Sequence, residues 1–250
     1  MLGVIAGSGL QRLTHFENVR REIVRTPFGE PSCALTIGEL AGVEVIFLNR
    51  HGYGHTLAPH QINYRANLWA LQKMGVDTIC AIGSAGSMVD SIQPGQLVMP
   101  DDAIDYTHGR IGTYFEGPDH PIVYTDLSEP FDRAARGVLM HAAKKAGENV
   151  VTQATYACTN GPRLETRAEV KRMTRDGAHV VGMTLMPEAA LAKELGLTYA
   201  AITVCTNYAS GVGESLAHDL NQWRALREQS LVKVENVLLQ WVAQDVTESQ

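Results

Sequence analysis

Three glycine-bearing stretches carry residues suited to holding an oxoanion. In Asn49-Arg50-His51-Gly52-Tyr53-Gly54-His55, which follows the apolar run Val43 to Leu48, an arginine stands at a strand end, where its planar fork can grip phosphate. His51 can add a donor, and the glycines permit a tight loop. Gly7-Ser8-Gly9 directly follows the opening run Leu2 to Ala6. Its glycines let backbone approach an anion and Ser8 adds a hydroxyl, although a plain turn has the same composition. Ile82-Gly83-Ser84-Ala85-Gly86-Ser87 offers small residues with exposed amides and hydroxyls at another strand end. Three such loops after strands suggest one shared anion site at one sheet edge.

Other chemistries fit these residues less well. A dinucleotide fingerprint would need a third glycine where Arg12 stands, and the following residues read as extended segments instead of a βαβ unit. The run at Gly83 is neither a nucleophile elbow nor a Walker loop. His51, His55 and His60 cluster in sequence, but without an HExxH helix or a nearby carboxylate they do not read as a metal site. A merely solvated loop is the plainer alternative there. A later group comprises Thr159 to Thr166, Val181 to Glu188 and Cys205 to Tyr208. Taken generically, these are a turn into a helix, a strand ending before a helix started by Pro187, and a strand end.

The elements that must carry these residues alternate. Apolar β-rich runs at Leu2 to Ala6, Val43 to Leu48, Thr78 to Ile82, Val151 to Ala157 and Tyr199 to Cys205 are interleaved with helical patterns. The helices are expected at Asn63 to Lys73, Phe131 to Ala146, Arg167 to Asp176, Pro187 to Leu195 and Asn221 to Val242. This pattern predicts one α/β domain over residues 1–250, with a central mixed sheet flanked by helices. The stretch from Asp101 to Pro130 is too long for a mere connector and could cover a site or pack against a neighbour. The polar residues from Gln244 to Gln250 read as a frayed tail.

Bulk composition narrows the partners. A chain of 250 residues, 45% hydrophobic and 19% charged, has enough apolar surface for one large domain. Its formal charge of -6 disfavours nucleic acid and anionic membranes, so an anionic ligand must be held by local cations and amides. Met1 runs into Leu2 to Ala6 without a basic n-region or a membrane-length apolar run, and a cytoplasmic location is expected. Cys33, Cys80, Cys158 and Cys205 lack CxxC spacing and read as reduced, buried thiols.

In order along nearly the whole chain, these segments resemble the trimeric purine nucleoside phosphorylase and methylthioadenosine phosphorylase family. The resemblance rests on GSGL at Gly7, TPFGEPS at Thr26, NRHGYGH at Asn49, NYRANLWAL at Asn63, GSAGS at Gly83, IQPGQLVMPDD at Ile92, the GPRLET run, GMTLMPEAALAKELG at Gly182 and TNYA at Thr206. It implies a single α/β domain, a homotrimer, and phosphorolysis of a purine nucleoside with inorganic phosphate as co-substrate and no metal or organic cofactor. It further implies that Ser8, Arg50, His51, Ser84 and Thr184 bind phosphate and that Met183 packs under the ribose. Leu164, Glu165, Thr206 and Asn207 would surround the base, and Tyr124 would reach a neighbour's sugar pocket.

Two positions speak to the base. Methylthioadenosine phosphorylases resembling this chain carry aspartate where Asn207 stands and another acid where this chain has Ala209. The Asn207 amide can donate to N7 or O6 of a purine and accept from N7-H, and Glu165 can accept the N1-H that only a 6-oxopurine has. Hypoxanthine is therefore expected over adenine, because an adenine would leave a buried partner unpaired. NRHGYGHT, NYRANLWAL and the MTLMPEA run instead have the look of the methylthio branch. There His55 would line a 5'-methylthio pocket, and Leu216, Leu220 and Trp223 could add apolar surface. The combination points to 5'-methylthioinosine as substrate. A general inosine or guanosine phosphorylase, a methylthioadenosine phosphorylase and a catalytically idle nucleoside-binding protein are the alternatives.

Overall fold

Five helices sandwich an eleven-stranded mixed sheet in a computed structural model that describes residues 1–7, 15–213 and 220–248. In chain order the strands are β1 (Leu2–Ala6), β2 (Phe16–Glu22), β3 (Leu35–Leu40), β4 (Val43–Asn49), β5 (Thr78–Ser87), β6 (Leu97–Val98), β7 (Asp102–Asp105), β8 (Val150–Val151), β9 (Thr155–Cys158), β10 (Val180–Gly182) and β11 (Thr198–Tyr208). The helices are α1 (Tyr64–Lys73), α2 (Arg133–Lys145), α3 (Arg167–Arg175), α4 (Leu185–Glu194) and α5 (Leu220–Glu248). This is the single α/β domain with a mixed central sheet that the alternating pattern predicts.

Burial follows position in the sheet. Every residue of the central strand β1 is buried, as expected when helices cover both faces, whereas the polar β2 is the exposed edge. One face packs under α1 and α4 through Leu68, Leu71, Leu185 and Leu191. The opposite face packs under α2 and α5 through Leu139, Val234, Leu238 and Trp241. Local chemistry sets several helix starts. Asn63 and Asp132 accept backbone N–H groups at the starts of α1 and α2, and Thr166 with Glu169 forms a capping box on α3.

Several expected boundaries shift. The run at Gly83 does not lie beyond a strand end but inside β5, because β11 pairs with it as far as Ser87. Val151 to Ala157 is two strands, β8 and β9, divided by Thr152–Ala154. The long stretch after Asp101 contains β7, whose charged ends pair in parallel with β9. Helix α5 runs on to Glu248, past the Gln244 at which a frayed tail was expected. Within α4, Met186 is extended (φ -118°, ψ 135°), so regular helix begins at Pro187, where the sequence puts it.

Candidate active site

A fork in β5 opens the cavity. Its first half pairs in parallel with β1 as far as Ile82, and its end pairs antiparallel with β10 from Gly86 onward. The opposite edge is bound to β11 along its whole length. Gly83, Ser84 and Ala85 therefore face a gap between two diverging strands. The Ile82 carbonyl points to that edge, accepting from the Gly7 amide (3.3 Å), and by the twofold period of a strand the Ser84 backbone points there too. The carboxyl ends of β1, β4, β10 and β11 converge around this gap, the usual place for a ligand in an open α/β sheet.

At the Arg50 end of the cavity the dominant feature is a buried ion pair. Arg50 is 0% exposed; its Nε and Nη2 donate to the two carboxylate oxygens of Glu188 (2.6 and 2.7 Å), and Nη1 donates to the Ile82 carbonyl (3.0 Å). Tyr199 Oη donates to Glu188 as well (2.8 Å). Burial, reinforced by Glu188, holds that phenol well above its ordinary pKa and keeps it a donor. Burial alone would depress Arg50, but Glu188 outweighs it and fixes the guanidinium as a cation. The fork expected to grip phosphate is thus engaged by Glu188, leaving the outer Nη hydrogens for a ligand.

His51 also differs from the sequence reading. Its Nδ1 lies 2.8 Å from the Leu57 carbonyl, which can only accept, so this nitrogen carries the hydrogen. Burial, together with the charges of Arg50 and His55, pulls the ring down to about 4. A neutral ring with Nδ1–H leaves Nε2 as an acceptor, the reverse of the donor expected. His55 packs beside it, ring centroids 4.3 Å apart, with a left-handed backbone (φ 57°). Thr184 caps α4 without a side-chain cap hydrogen bond, so its hydroxyl is not taken up by the helix start.

The Glu165 and Asn207 end is built from turns. Thr159 Oγ1 donates to Glu165 Oε1 (2.6 Å), fixing the carboxylate just before α3. A bulge in β11 between Cys205 and Asn207 turns Asn207 toward β5. Thr206 Oγ1 donates to Asn207 Oδ1 (2.9 Å) and Asn207 Nδ2 donates to the Tyr208 carbonyl (2.8 Å), which orients the amide and leaves it one further hydrogen. A Cβ at Gly86 would come within 3.3 Å of that nitrogen, and one at Gly161 (φ +57°) would overlap Met183 Sδ. These two glycines let the amide and the thioether sit where they do.

One cavity of about 520 Å³ is lined by Arg50, His51, His55, Ser84, Leu164, Glu165, Met183, Thr184, Thr206 and Asn207, all expected from the sequence. Ser8 lies outside the described residues, as does Leu216, and the side chains of Leu220 and Trp223 are not described. Tyr124 is 91% exposed and does not line the cavity of its own chain. Sequence reasoning missed Leu57, Ala58 and Pro59, an apolar wall beside His55, and Glu188, which reads as an ordinary first-turn glutamate. Among the described residues, no group of three or more histidine, cysteine or acidic side chains could hold a metal ion, and no helix is long and apolar enough to cross a membrane.

Residues 1–240 match the Phosphorylase superfamily. A protein of Thermodesulfovibrio yellowstonii described as "Probable S-methyl-5'-thioinosine phosphorylase" is 43% identical over 216 residues, covering 85% of this chain and 79% of that one. A protein of the same description from Xanthomonas campestris pv. campestris is 45% identical over 214 residues, covering 86% of each. Among solved structures, a methylthioadenosine phosphorylase sourced from an antarctic soil metagenomic library superposes with a TM-score of 0.92 at 34% identity, covering 100% of this chain and 87% of the other. A match that spans the sheet, its fork and the converging strand ends alike is a match of the whole domain, and the chain belongs to the phosphorylase superfamily.

Proposed function

We propose that this enzyme cleaves 5'-methylthioinosine with inorganic phosphate, releasing hypoxanthine and 5-methylthioribose 1-phosphate. The observation that carries this reading is the continuity of one cavity from the Arg50, Ser84 and Thr184 end to the Glu165 and Asn207 end. Phosphate, held by the outer hydrogens of Arg50, by the Ser84 hydroxyl and backbone, by Thr184 and by Ser8, would lie below C1' and attack as the glycosidic bond lengthens. Neutral His51 would accept a hydrogen bond from a protonated phosphate oxygen. The nucleophile's negative charge stabilises the developing oxocarbenium-like sugar, and no covalent enzyme intermediate is required. Asn207 would stabilise the leaving base as N7 gains its proton, while Glu165 accepts N1-H.

Ala209, where a base-binding acid would stand in a methylthioadenosine-type site, is 4% exposed and lines the cavity, so nothing there rewards a 6-amino group. Leu57 and Pro59 give the His55 side of the cavity an apolar wall suited to a thioether. The reading requires no metal or organic cofactor. It includes a homotrimer in which the exposed Tyr124 meets a neighbouring sugar pocket, testable by light scattering on the eluting protein.

The decisive experiment follows free base from methylthioinosine, inosine and methylthioadenosine, each with and without phosphate. Phosphate-dependent hypoxanthine release, fastest from methylthioinosine, is expected. Release from methylthioadenosine alone would overturn the base assignment, and phosphate-independent release would indicate hydrolysis.

A further inference from the structure

Arg110 lies between β7 and α2, outside the cavity, and none of the roles above uses it. Its guanidinium donates to four acceptors: Nη1 to the Met186 carbonyl (2.6 Å) and Tyr64 Oη (3.3 Å), Nη2 to the carbonyls of Thr159 (3.2 Å) and Asn160 (3.0 Å). Its Nε is buried without a hydrogen-bond partner among the described residues. A half-buried cation held by three carbonyls and a phenol oxygen, with no carboxylate among these acceptors, is an unusual arrangement, since such a charge is normally retained beside a carboxylate.

The acceptors explain the placement. The carbonyl of Met186, the extended residue just before the regular part of α4, accepts from Arg110 and from Cys158 Sγ (3.4 Å). That carbonyl lies two residues after Thr184, at the phosphate end. Thr159 follows β9, the strand beside β10, and holds Glu165 at the other end of the cavity through its hydroxyl. The approach of Arg110 is itself fixed. The Tyr106 amide donates to the Cys158 carbonyl, and His108 exchanges two hydrogen bonds with Asn160.

We infer that Arg110 is a positioning residue that sets the distance between the phosphate-holding turn and the base-holding turn by clamping the carbonyls of Met186 and Thr159. The inference rests on the phosphorolysis reading. In that reaction, nucleophile and leaving base must be aligned on opposite sides of C1', and a displacement of about 1 Å can cost on the order of a hundredfold in rate.

The test compares Arg110→Lys, Arg110→Met and Arg110→Ala for melting temperature and for kcat and KM toward phosphate and methylthioinosine. Lysine keeps the charge but cannot span both turns, so kcat should fall about tenfold or more in Arg110→Lys and on the order of a hundredfold in Arg110→Met, with smaller changes in either KM. Millimolar guanidinium should restore part of the kcat of Arg110→Ala. Should the alanine chain fail to fold, Arg110→Lys carries the comparison. Wild-type kcat in a folded Arg110→Met, or a loss that tracks melting temperature across the variants without guanidinium rescue, would overturn the inference. An inactive wild type would instead overturn the phosphorolysis reading.

Discussion

The two ends of the cavity are built in opposite ways. The phosphate end stands on strand termini around side chains withdrawn from water: Arg50 is 0% exposed, Glu188 1% and Thr184 7%. The base end stands on turns and a bulge, and its Leu164 is 59% exposed. On the proposed reading, a reagent common to every turnover would be met by groups whose positions the core dictates. The base would be met by groups that local turn chemistry orients, where one residue can change without disturbing the sheet.

This contrast makes Glu188→Ala the most damaging substitution expected. It would leave the Arg50 cation buried and unpaired, costing about 3–5 kcal/mol of stability in denaturant melts and abolishing activity. A stability loss below about 1 kcal/mol would show that the phosphate end is not held by its ion pair. Asn207→Ala should do the reverse, lowering kcat by roughly two to three decades while the melting curve barely moves. Turnover within a few fold of wild type would remove Asn207 from the chemistry. Asn207→Asp sharpens the same point, because it should shift the ratio of methylthioadenosine to methylthioinosine turnover upward.

The smallest effect expected concerns acid stability. His51 titrates at about 4 in the folded chain against its ordinary 6.5, so between these values the unfolded state binds more protons. Its contribution is therefore complete above pH 6.5 and lost as pH falls toward 4, by on the order of 2–3 kcal/mol. Melts from pH 7 to 4 should show this slope in the wild type and a flatter one in His51→Gln. Identical slopes would mean the ring takes up its proton as readily in the fold as in the unfolded chain.

At the Glu165 and Asn207 end only the local elements are legible from the residues, a turn into a helix and a strand end, and the roles expected there come from the family resemblance. The Arg50 end is legible as an anion site from its loops, but its construction is not. Arg50 announces itself, but its partner lies 138 residues away, and a glutamate in a helix's first turn gives no sign that it will be buried. The GSAGS run reads as a loop because glycine, serine and alanine have weak strand preference, yet long-range pairing with β11 keeps it extended. Likewise β7 is invisible locally, since charged Asp102 and Asp105 become strand only through β9. Where a residue's state is set by a distant partner, local pattern reading stops short.

The fork in β5 has a further consequence for engineering this molecule. The edge of β5 away from β11 has no strand partner at residues 83–85 among the described residues, a structural deficit that a bridging strand or larger side chains could repair, and stabilising designs would be drawn to it. Any such repair would occupy the space in which phosphate is expected to bind. Thermostable variants selected without an activity screen should therefore accumulate changes here at the expense of turnover, the usual exchange between robustness and function confined to three residues.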